Sequence, residues 1–566
     1  MFASAPRSPR SPHPSGRAPR PRIVRLLLLT LVGSGGAIRG APPAVTHLFP
    51  SGARRGQTVE VSALGTFSRW PPRVWVSTPG LEVEPAKEKG KLTVRVQPTA
   101  RLGRHWLRFH DEEGASALRP FVVGALREVL EREPNDRPRE AQPLGGSRVV
   151  VDGRLDRRED VDGFAVYLRR GETLVGSVEA HRELGSPMDG VLQVVTPDGF
   201  VEAQNDDDRG LDPRLVWSAP REGIFVVRIF AFPATPNSSI RLASGDHYVY
   251  RLTLTTGPFV DYPFPLVIER EKSSAVTLQG WNLPEDLRTL TVTAEAAAKR
   301  SVLLESPGLP AAVRLGTVPY PSLTEDEVRR GSETPTLPLP SSLSGRIARR
   351  GEADTYRFEA RKGESISLRV RSRSLGFPLD PVLQLLGVDG KLVAESDDRS
   401  RTDLDPVITK SLPVDGVYRV RITDRYGHGS SRHAYRLDLT RSTPDYSLRV
   451  SPDRFVLRQG AALEIAVEVE RRGGFAGDIE ISAEGLPPGV EGEVATSTSS
   501  GESAKKVTVK LRARKGAPLS GVMRLVGRSA GDPGIARTCA APVDGLEAVT
   551  EDLWLSVLPP KAEASK

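Results

Sequence analysis

The sequence predicts an all-β chain of tandem β-sandwich domains, and three observations lead to that prediction. Short apolar or alternating stretches, such as Thr58–Val61 and Leu463–Val469, recur along the chain. Turn residues separate such stretches at intervals of about 8–12 residues, which is the spacing of a β-sandwich. Glycine (53) and proline (48) are abundant among the 566 residues, and long apolar runs with helical period are lacking.

The first 41 residues predict an export leader. Residues 1–40 contain seven arginines and no acidic residue, so the formal net charge of +8 falls to +1 without them. Ile23–Val32 forms a short apolar run, and small residues follow from Gly33 to Ala37. This order is typical of a signal peptide, and about ten apolar residues are too few for a membrane span. We expect an exported protein that is extracellular, at the cell surface or periplasmic; a disordered basic tail is the alternative.

The rest of the chain argues against several functional classes. Its near-neutral charge lacks the basic excess that nucleic-acid binding requires. Cys539 is the sole cysteine, so no intrachain disulfide can form. The H-E-x-x-H, G-x-S-x-G and G-K-[ST] signatures of zinc peptidases, serine hydrolases and phosphate-loop enzymes do not occur. We therefore predict no catalytic residues and a protein that is not an enzyme.

An internal repeat organises the middle of the chain. Val151–Leu155 recurs 192 residues later as Leu343–Ile347, and the ordered matches continue to Tyr250–Leu252 and Tyr435–Leu437. So many matches in one order predict two copies of a domain of about 115 residues.

Each copy carries a turn signal at the same place. Asp198-Gly199 and Asp389-Gly390 both stand between apolar runs. An Asp-Gly pair supplies the positive φ angles of a type I′ turn, so we predict a β-hairpin at each position.

The opening of the first copy carries a family resemblance. Glu131–Asp136 reads E-R-E-P-N-D, Asp160–Phe164 reads D-V-D-G-F, and Arg170-Gly171-Glu172 follows. These residues resemble the bacterial pre-peptidase C-terminal domain over about residues 128–256 and, more weakly, 326–441. The resemblance implies a small jelly-roll-like β-sandwich found beside secreted peptidases and on other exported proteins. The flanking segments are similar to immunoglobulin-like units, two of them of the IPT/TIG type.

These patterns divide the chain into seven predicted parts. They are a leader (1–41), an IPT/TIG-like domain (42–125), a first pre-peptidase-like sandwich (126–257), an IPT/TIG-like domain (258–323), a second pre-peptidase-like sandwich (324–442), an immunoglobulin-like domain (443–560) and a tail (561–566).

The resemblance also implies a calcium site, because collagen-binding members of the family hold calcium with acidic residues of the opening segment and the next strand. The ligand candidates carried over to this chain are Glu131, Glu133, Asn135, Asp136, Asp160 and Asp162. Calcium takes six to eight oxygen ligands, and two neighbouring acidic segments can supply four or five of them. The alternative is a solvated linker in which Asp162 merely caps a strand.

The second copy departs from this pattern. Thr324–Glu327 stands in place of the E-P-N-D segment, and Arg329 follows. Asp354 remains, but Glu352 is its one acidic companion, so we expect no calcium there. Both copies share an acidic loop, Asn205–Asp208 in the first and Ser396–Asp398 in the second, which predicts either a solvated turn or a cation site.

Two functions remain open at this point. The first is an exported, non-catalytic binding or adhesion protein of the cell surface or extracellular matrix, with calcium as its possible cofactor. The second is an accessory or regulatory partner of a separately encoded secreted peptidase. The expected partners are an extracellular polymer, a cell-envelope component or a secreted protein, and not nucleic acid.

Overall fold

The computed structural model describes residues 40–236, 241–297, 300–330, 334–400, 403–514, 520–530 and 534–560. Strands dominate, and the helices are single turns: α1 (His181–Leu184), α2 (Glu285–Arg288), α3 (Glu325–Val328) and 3₁₀ turns at Arg373–Leu375 and Glu502–Ala504. The predicted all-β, sandwich-type architecture is confirmed. Nearly all of the predicted leader lies outside the described residues. Within the described part, no helix has the length and apolar character needed to cross a membrane.

The N-terminal sandwich packs two sheets, β1-β3-β6-β5 and β2-β9-β7-β4, around one apolar core. Its strands are β1 (Ala44–Phe49), β2 (Gly52–Arg54), β3 (Thr58–Thr66), β4 (Arg73–Val76), β5 (Leu81–Pro85), β6 (Lys91–Val96), β7 (Gly103–Asp111), β8 (Gly114–Ala115) and β9 (Arg119–Gly124). In β6, Leu92, Val94 and Val96 are buried and alternate with less buried residues, because side chains along a strand point to opposite faces.

The first repeat sandwich contains ten strands in two five-stranded sheets, β10-β12-β19-β14-β17 and β11-β13-β18-β15-β16. The strands are β10 (Arg127–Leu130), β11 (Gln142–Pro143), β12 (Arg148–Arg154), β13 (Asp162–Leu168), β14 (Thr173–Glu179), β15 (Met188–Val195), β16 (Val201–Asn205), β17 (Arg214–Ser218), β18 (Gly223–Pro233) and β19 (Val249–Thr255). The edge strands β10 and β11 run parallel to their neighbours, and the segment that joins them crosses from one sheet to the other.

The middle sandwich is smaller, with sheets β20-β22-β23 and β21-β25-β24. Its strands are β20 (Phe259–Phe264), β21 (Val267–Glu269), β22 (Ser273–Trp281), β23 (Thr289–Thr293), β24 (Ser301–Leu304) and β25 (Val313–Val318). Ile268, Val276 and Leu315 form the centre of its core.

The second repeat sandwich has sheets β26-β27-β34-β29-β32 and β28-β33-β30-β31. Its strands are β26 (Ser322–Thr324), β27 (Ser341–Arg346), β28 (Ala353–Ala360), β29 (Ser365–Arg371), β30 (Pro381–Leu386), β31 (Leu392–Ser396), β32 (Val407–Ser411), β33 (Gly416–Asp424) and β34 (Ala434–Arg441). Read position by position, these strand orders repeat those of the first repeat sandwich, with a parallel bridge between Thr336 and Arg357 in place of β11.

The C-terminal sandwich has sheets β35-β37-β41-β39 and β36-β46-β42-β38-β40. Its strands are β35 (Asp445–Arg449), β36 (Arg454–Arg458), β37 (Ala462–Arg472), β38 (Ile479–Glu484), β39 (Val490–Gly492), β40 (Ala495–Ser497), β41 (Lys506–Ala513), β42 (Ser520–Ser529), β43 (Ala536–Thr538), β44 (Ala541–Pro542), β45 (Val549–Thr550) and β46 (Leu553–Leu558). Cys539 lies in its core, and burial raises the pKa of the thiol to about 12, so the thiol stays protonated at neutral pH. The domain borders given above stay a prediction.

The two hairpins occur where the sequence places them, but their turns are not of type I′. Thr196 O accepts a hydrogen bond from Gly199 N–H at 2.8 Å, and the ladder between β15 and β16 shifts by one residue at Val195. Gly390 N–H donates to Gly387 O in the same way. Only the glycine of each Asp-Gly pair has a positive φ, so the predicted hairpins are present and the type I′ turn is wrong.

A buried arginine lies where the N-terminal sandwich covers the first repeat sandwich. Arg251 projects from the outer face of β19 and is 2 % exposed. Its guanidinium donates to Glu128 at 2.9 Å and to Asp152 at 3.0 Å. An added Cβ on Gly52 would lie 2.0 Å from Arg251 Nη1, so only glycine fits at that point of β2.

A second buried ion cluster joins three sandwiches. Asp261, on β20 of the middle sandwich, accepts from Arg432 Nε of the second repeat at 2.7 Å and pairs with Arg214 of the first repeat. Arg209 Nη2 lies 3.4 Å from the same carboxylate. Burial alone would raise the pKa of Asp261, but Arg214 and Arg432 hold it below its usual value. The carboxylate therefore stays ionised between guanidinium groups from both repeats.

Candidate metal centre

The acidic segment after β10 folds back against the start of β13. Asn135 is buried and anchors this segment, because its backbone and side-chain carbonyls both accept from Gly163 N–H at 3.1 Å. Its side-chain amide donates to Arg132 O at 3.2 Å, and its backbone N–H donates to Glu133 Oε2 at 3.0 Å. The loop therefore holds its carboxylates beside the first residues of β13.

Five carboxylates meet at this place in two groups that share Glu133. Oxygen atoms of Glu131, Glu133 and Asp162 all lie within 4.8 Å of one another. The same holds for Glu133, Asp156 and Asp160. Four of the six ligand candidates from the sequence are thus brought together, and the structure adds Asp156.

The other two candidates lie differently. Asn135 uses its side-chain carbonyl to hold Gly163, as described above, so it positions the loop. Asp136 is exposed, accepts from Val161 N–H at 3.4 Å and belongs to neither carboxylate group. Their role as ligands stays a prediction.

Three buried carboxylate oxygens in this cluster have no hydrogen-bond partner within the described residues, and one of them, Glu133 Oε1, forms an ion pair with Arg157. Asp162 Oδ2 accepts from the Tyr250 hydroxyl at 2.6 Å, and Asp160 Oδ2 accepts from the backbone N–H groups of Asp156 and Arg157 at 2.7 and 3.1 Å. Within the described residues, Asp160 Oδ1 and Asp162 Oδ1 have no hydrogen-bond partner. Buried charged oxygens in this state are costly unless a cation or a proton meets them.

The electrostatics of the cluster point in the same direction. Burial and the neighbouring carboxylates Glu133, Asp156 and Asp160 raise the pKa of Glu131 to about 7. Burial is also the main cause that raises the pKa of Asp160 to about 6 and that of Asp162 well above its usual value. Without a cation, these raised pKa values favour the protonated carboxyls, and a bound cation would favour their ionised form. Carboxylate oxygens are the hard donors that calcium prefers.

One arginine partly neutralises the cluster. Arg157 Nη2 lies 2.5 Å from Glu133 Oε1. Its side chain is 51 % exposed, so it can leave this contact at small cost.

The second repeat sandwich fills the equivalent position with its own cation. Asp354 in β28 accepts from the Tyr435 hydroxyl at 2.6 Å, as Asp162 accepts from Tyr250. Its other oxygen contacts Arg329 Nη2 at 2.5 Å, and Arg329 Nε lies 2.6 Å from Glu325 Oε1. The Arg329 guanidinium therefore lies against a carboxylate oxygen of Asp354. The equivalent oxygen in the first repeat sandwich, on Asp162, has no hydrogen-bond partner within the described residues. The contact between Arg329 and Asp354 is the geometric counterpart of the second copy's departure from the acidic pattern.

Two of these features were missed in the sequence. Asp156 stands in the loop before β13, outside the D-V-D segment that carries the resemblance, so no motif marked it. Arg329 was noted as a departure, but its contact with Asp354 depends on α3, whose Thr324–Glu327 capping box sets the start of the helix.

Comparison with known families identifies one of the two repeats. Residues 352–424 match the family model of the bacterial pre-peptidase C-terminal domain. The match lies within the second repeat sandwich, from the residues just before β28 to the end of β33. The assignment of the first repeat to the pre-peptidase family stays a prediction, although its strand order is the same.

Two solved structures with similar elements are both distant from this chain. The pre-peptidase C-terminal domain of collagenase from Bacillus anthracis aligns with 13 % identity over 18 % of this chain and 91 % of its own, with a TM-score of 0.15. The fibronectin(III)-like modules of CbhA from Clostridium thermocellum align with 10 % identity over 36 % and 90 %, with a TM-score of 0.13. No curated protein matches the chain.

Proposed function

We propose that the chain is an exported, non-catalytic binding or adhesion protein of the cell surface or extracellular matrix, in which calcium orders the first repeat sandwich. The observation that carries this proposal is the pair of buried, unpartnered oxygens on Asp160 and Asp162 within a cluster of five carboxylates. The pre-peptidase match in the second repeat sandwich supports an exported, modular protein.

The second repeat sandwich supports the need for a cation in the first. The two sandwiches share the tyrosine–aspartate hydrogen bond and the strand order around it. Where one has Arg329, the other has acidic residues and no guanidinium on Asp162. In the proposed site, Glu131, Glu133, Asp160 and Asp162 hold the ion, with Asp156 beside them. Binding would fix the segment between β10 and β11 against β13, so metal affinity and local order are coupled.

The surface of the first repeat sandwich supports a binding role. Tyr167, Phe200 and Phe232 are 56 %, 73 % and 39 % exposed, and all belong to the sheet containing β13, β15, β16 and β18 or to its turns. Tyr167 lies opposite Ile224, eight residues along β18 from Phe232, so these exposed rings would be separate contact points for a partner.

Calcium is expected to protect the first repeat sandwich and not the second. At a calcium concentration about 100 times the dissociation constant, binding stabilises the folded state by about 2.7 kcal/mol. Hydrogen exchange with mass spectrometry, in calcium and in chelator, would measure this as slower exchange in β10, β11 and β13. Asp162→Asn should abolish the difference, whereas Asp198→Asn, at an exposed carboxylate of the same sandwich outside the cluster, is the matched control. Equal exchange in both buffers would contradict the calcium site.

Adhesion is tested separately by co-sedimentation of the full chain with collagen, chitin, cellulose and isolated cell envelope, in calcium and in chelator. We expect calcium-dependent pelleting with at least one polymer, lost in Asp162→Asn. If nothing pellets although calcium still slows exchange, the metal site stands and the adhesion proposal is wrong. A complex with a co-secreted peptidase in that case would favour the accessory-partner function.

A further inference from the structure

The first repeat sandwich carries a second acidic feature, far along the chain from the proposed calcium ligands. A pocket of about 290 Å³ opens on the outer face of the sheet that contains β15, β16 and β18. Asp189, Asp206 and Asp207 supply its carboxylates, and Phe230 and Phe232 form its apolar wall with ring centroids 6.3 Å apart.

Within the described chain, His181 is a basic side chain that acts on the charge of Asp189, but the two form no ion pair. No ion pair with a basic side chain is formed there by Asp189, Asp206 or Asp207. Partial burial and the neighbouring carboxylates raise the pKa of Asp189, and the same two causes raise the pKa of Asp207. The pocket therefore combines negative charge with the faces or edges of two aromatic rings.

In the second repeat sandwich, the chain itself supplies a partner for the equivalent carboxylates. In the first repeat, Asp189 on β15 lies opposite Phe232 on β18. In the second, the residue opposite Asp380 is Arg425, whose N–H donates to Asp380 O at 2.8 Å. The Arg425 guanidinium pairs with Asp397, which holds the place of Asp206.

Comparison of the two repeat sandwiches indicates which group the first one lacks. Phenylalanine replaces the arginine in the first repeat, so the acidic loop keeps its charge and loses its internal guanidinium. We propose that this pocket, defined by Asp189, Asp206, Asp207, Phe230 and Phe232, binds an arginine side chain of a partner polypeptide. The carboxylates pair with the guanidinium, and the phenylalanine rings pack against its planar face.

The pocket fits an organic cation better than a bare metal ion. Two of its five defining side chains are phenylalanines, which offer no oxygen ligand, whereas a guanidinium interacts favourably with both carboxylates and aromatic rings. None of these residues belongs to the proposed calcium cluster, so the inference stands or falls independently of that site.

The test uses the full chain labelled with 4-fluorophenylalanine, with fluorine NMR as the measurement and chelator in the buffer. The probes are acetyl-Gly-Arg-Gly-amide and the same peptide with citrulline, which has nearly the same shape and no charge. The signals of Phe230 and Phe232, assigned by their loss in Phe230→Leu and Phe232→Leu, should move saturably with the arginine peptide only. The double variant Asp206→Asn/Asp207→Asn should weaken binding about fivefold, as expected for two partly exposed ion pairs.

Two further variants sharpen the result. Phe232→Arg copies the second repeat and should abolish peptide binding, because the new side chain can pair with Asp206. Asp397→Asn, at the equivalent acidic loop of the second repeat, is the matched control and should leave the affinity unchanged. Equal shifts with both peptides, or unchanged affinity in the double aspartate variant, would overturn the proposal. Shifts caused by calcium alone, with no response to the arginine peptide in chelator, would show a metal site in its place.

Discussion

Replacing Arg329 with glutamine is expected to destabilise the second repeat sandwich by about 3 kcal/mol, the lower end of the range for breaking a buried ion pair. Asp354 is fully buried, and Arg329 is its cationic partner. Burial and Glu325 raise the pKa of Asp354, while the guanidinium of Arg329 opposes that rise. Without the guanidinium, Asp354 and Glu325 face each other with no counter-charge. Hydrogen exchange in β27 and β28 would measure the loss.

The same variant is expected to gain a response to calcium. Removal of the guanidinium leaves space and carboxylate oxygens where the first repeat sandwich has its proposed site. The experiment is best made with Asp162→Asn present, so that the first site is silent. Slower exchange in β28 on addition of calcium would support the equivalence of guanidinium and metal ion. If β28 exchanges as fast as in the parent chain, both in calcium and in chelator, the equivalence of guanidinium and metal ion is contradicted.

Replacing Arg251 with methionine is expected to cost about 4 kcal/mol, because it leaves two buried carboxylates without their counter-charge. Glu128 and Asp152 are 7 % and 3 % exposed, and both contact the guanidinium. Denaturant unfolding monitored by hydrogen exchange in β12 and β19 would measure the change.

Further variants test whether the unpaired buried charges cause that loss of stability. Glu128→Gln and Asp152→Asn in the Arg251→Met background should restore part of the stability, because they remove the unpaired charges. Arg95→Met breaks an exposed pair with Glu82, whose partners are 55 % and 47 % exposed, and should change stability far less than Arg251→Met. A loss equal to that of Arg251→Met in this control would rule out burial as the cause.

Local patterns were sufficient to predict the all-β, sandwich-type architecture. Alternation in segments such as Tyr356–Ala360 reflects which side chains enter the core, and that depends on the two-residue period of a strand alone. The turn types were not predictable at the same level. Asp198-Gly199 predicts a type I′ turn, but Thr196 and Pro197 extend the loop, and the ladder skips Glu202 of β16 opposite Val194 and Val195.

The candidate metal centre was predictable where a motif marks it and not where distant segments meet. Glu131, Glu133, Asp160 and Asp162 stand in two recognisable segments. Asp156 joins them only because its loop folds beside Glu133. The pocket proposed to bind an arginine side chain was also not predictable from the sequence. The pairing of Phe232 with Asp189 depends on the register of two strands, and the two residues are 43 positions apart.

The Asp261 cluster bears on how the chain melts. One carboxylate of the middle sandwich is held by guanidinium groups from sandwiches on both sides of it in sequence. When either repeat unfolds, Asp261 loses a guanidinium partner, so ion pairs of the middle sandwich are broken together with that repeat. Unfolding of one repeat therefore also costs its neighbours their ion pairs, and we expect the three sandwiches to unfold together and not independently.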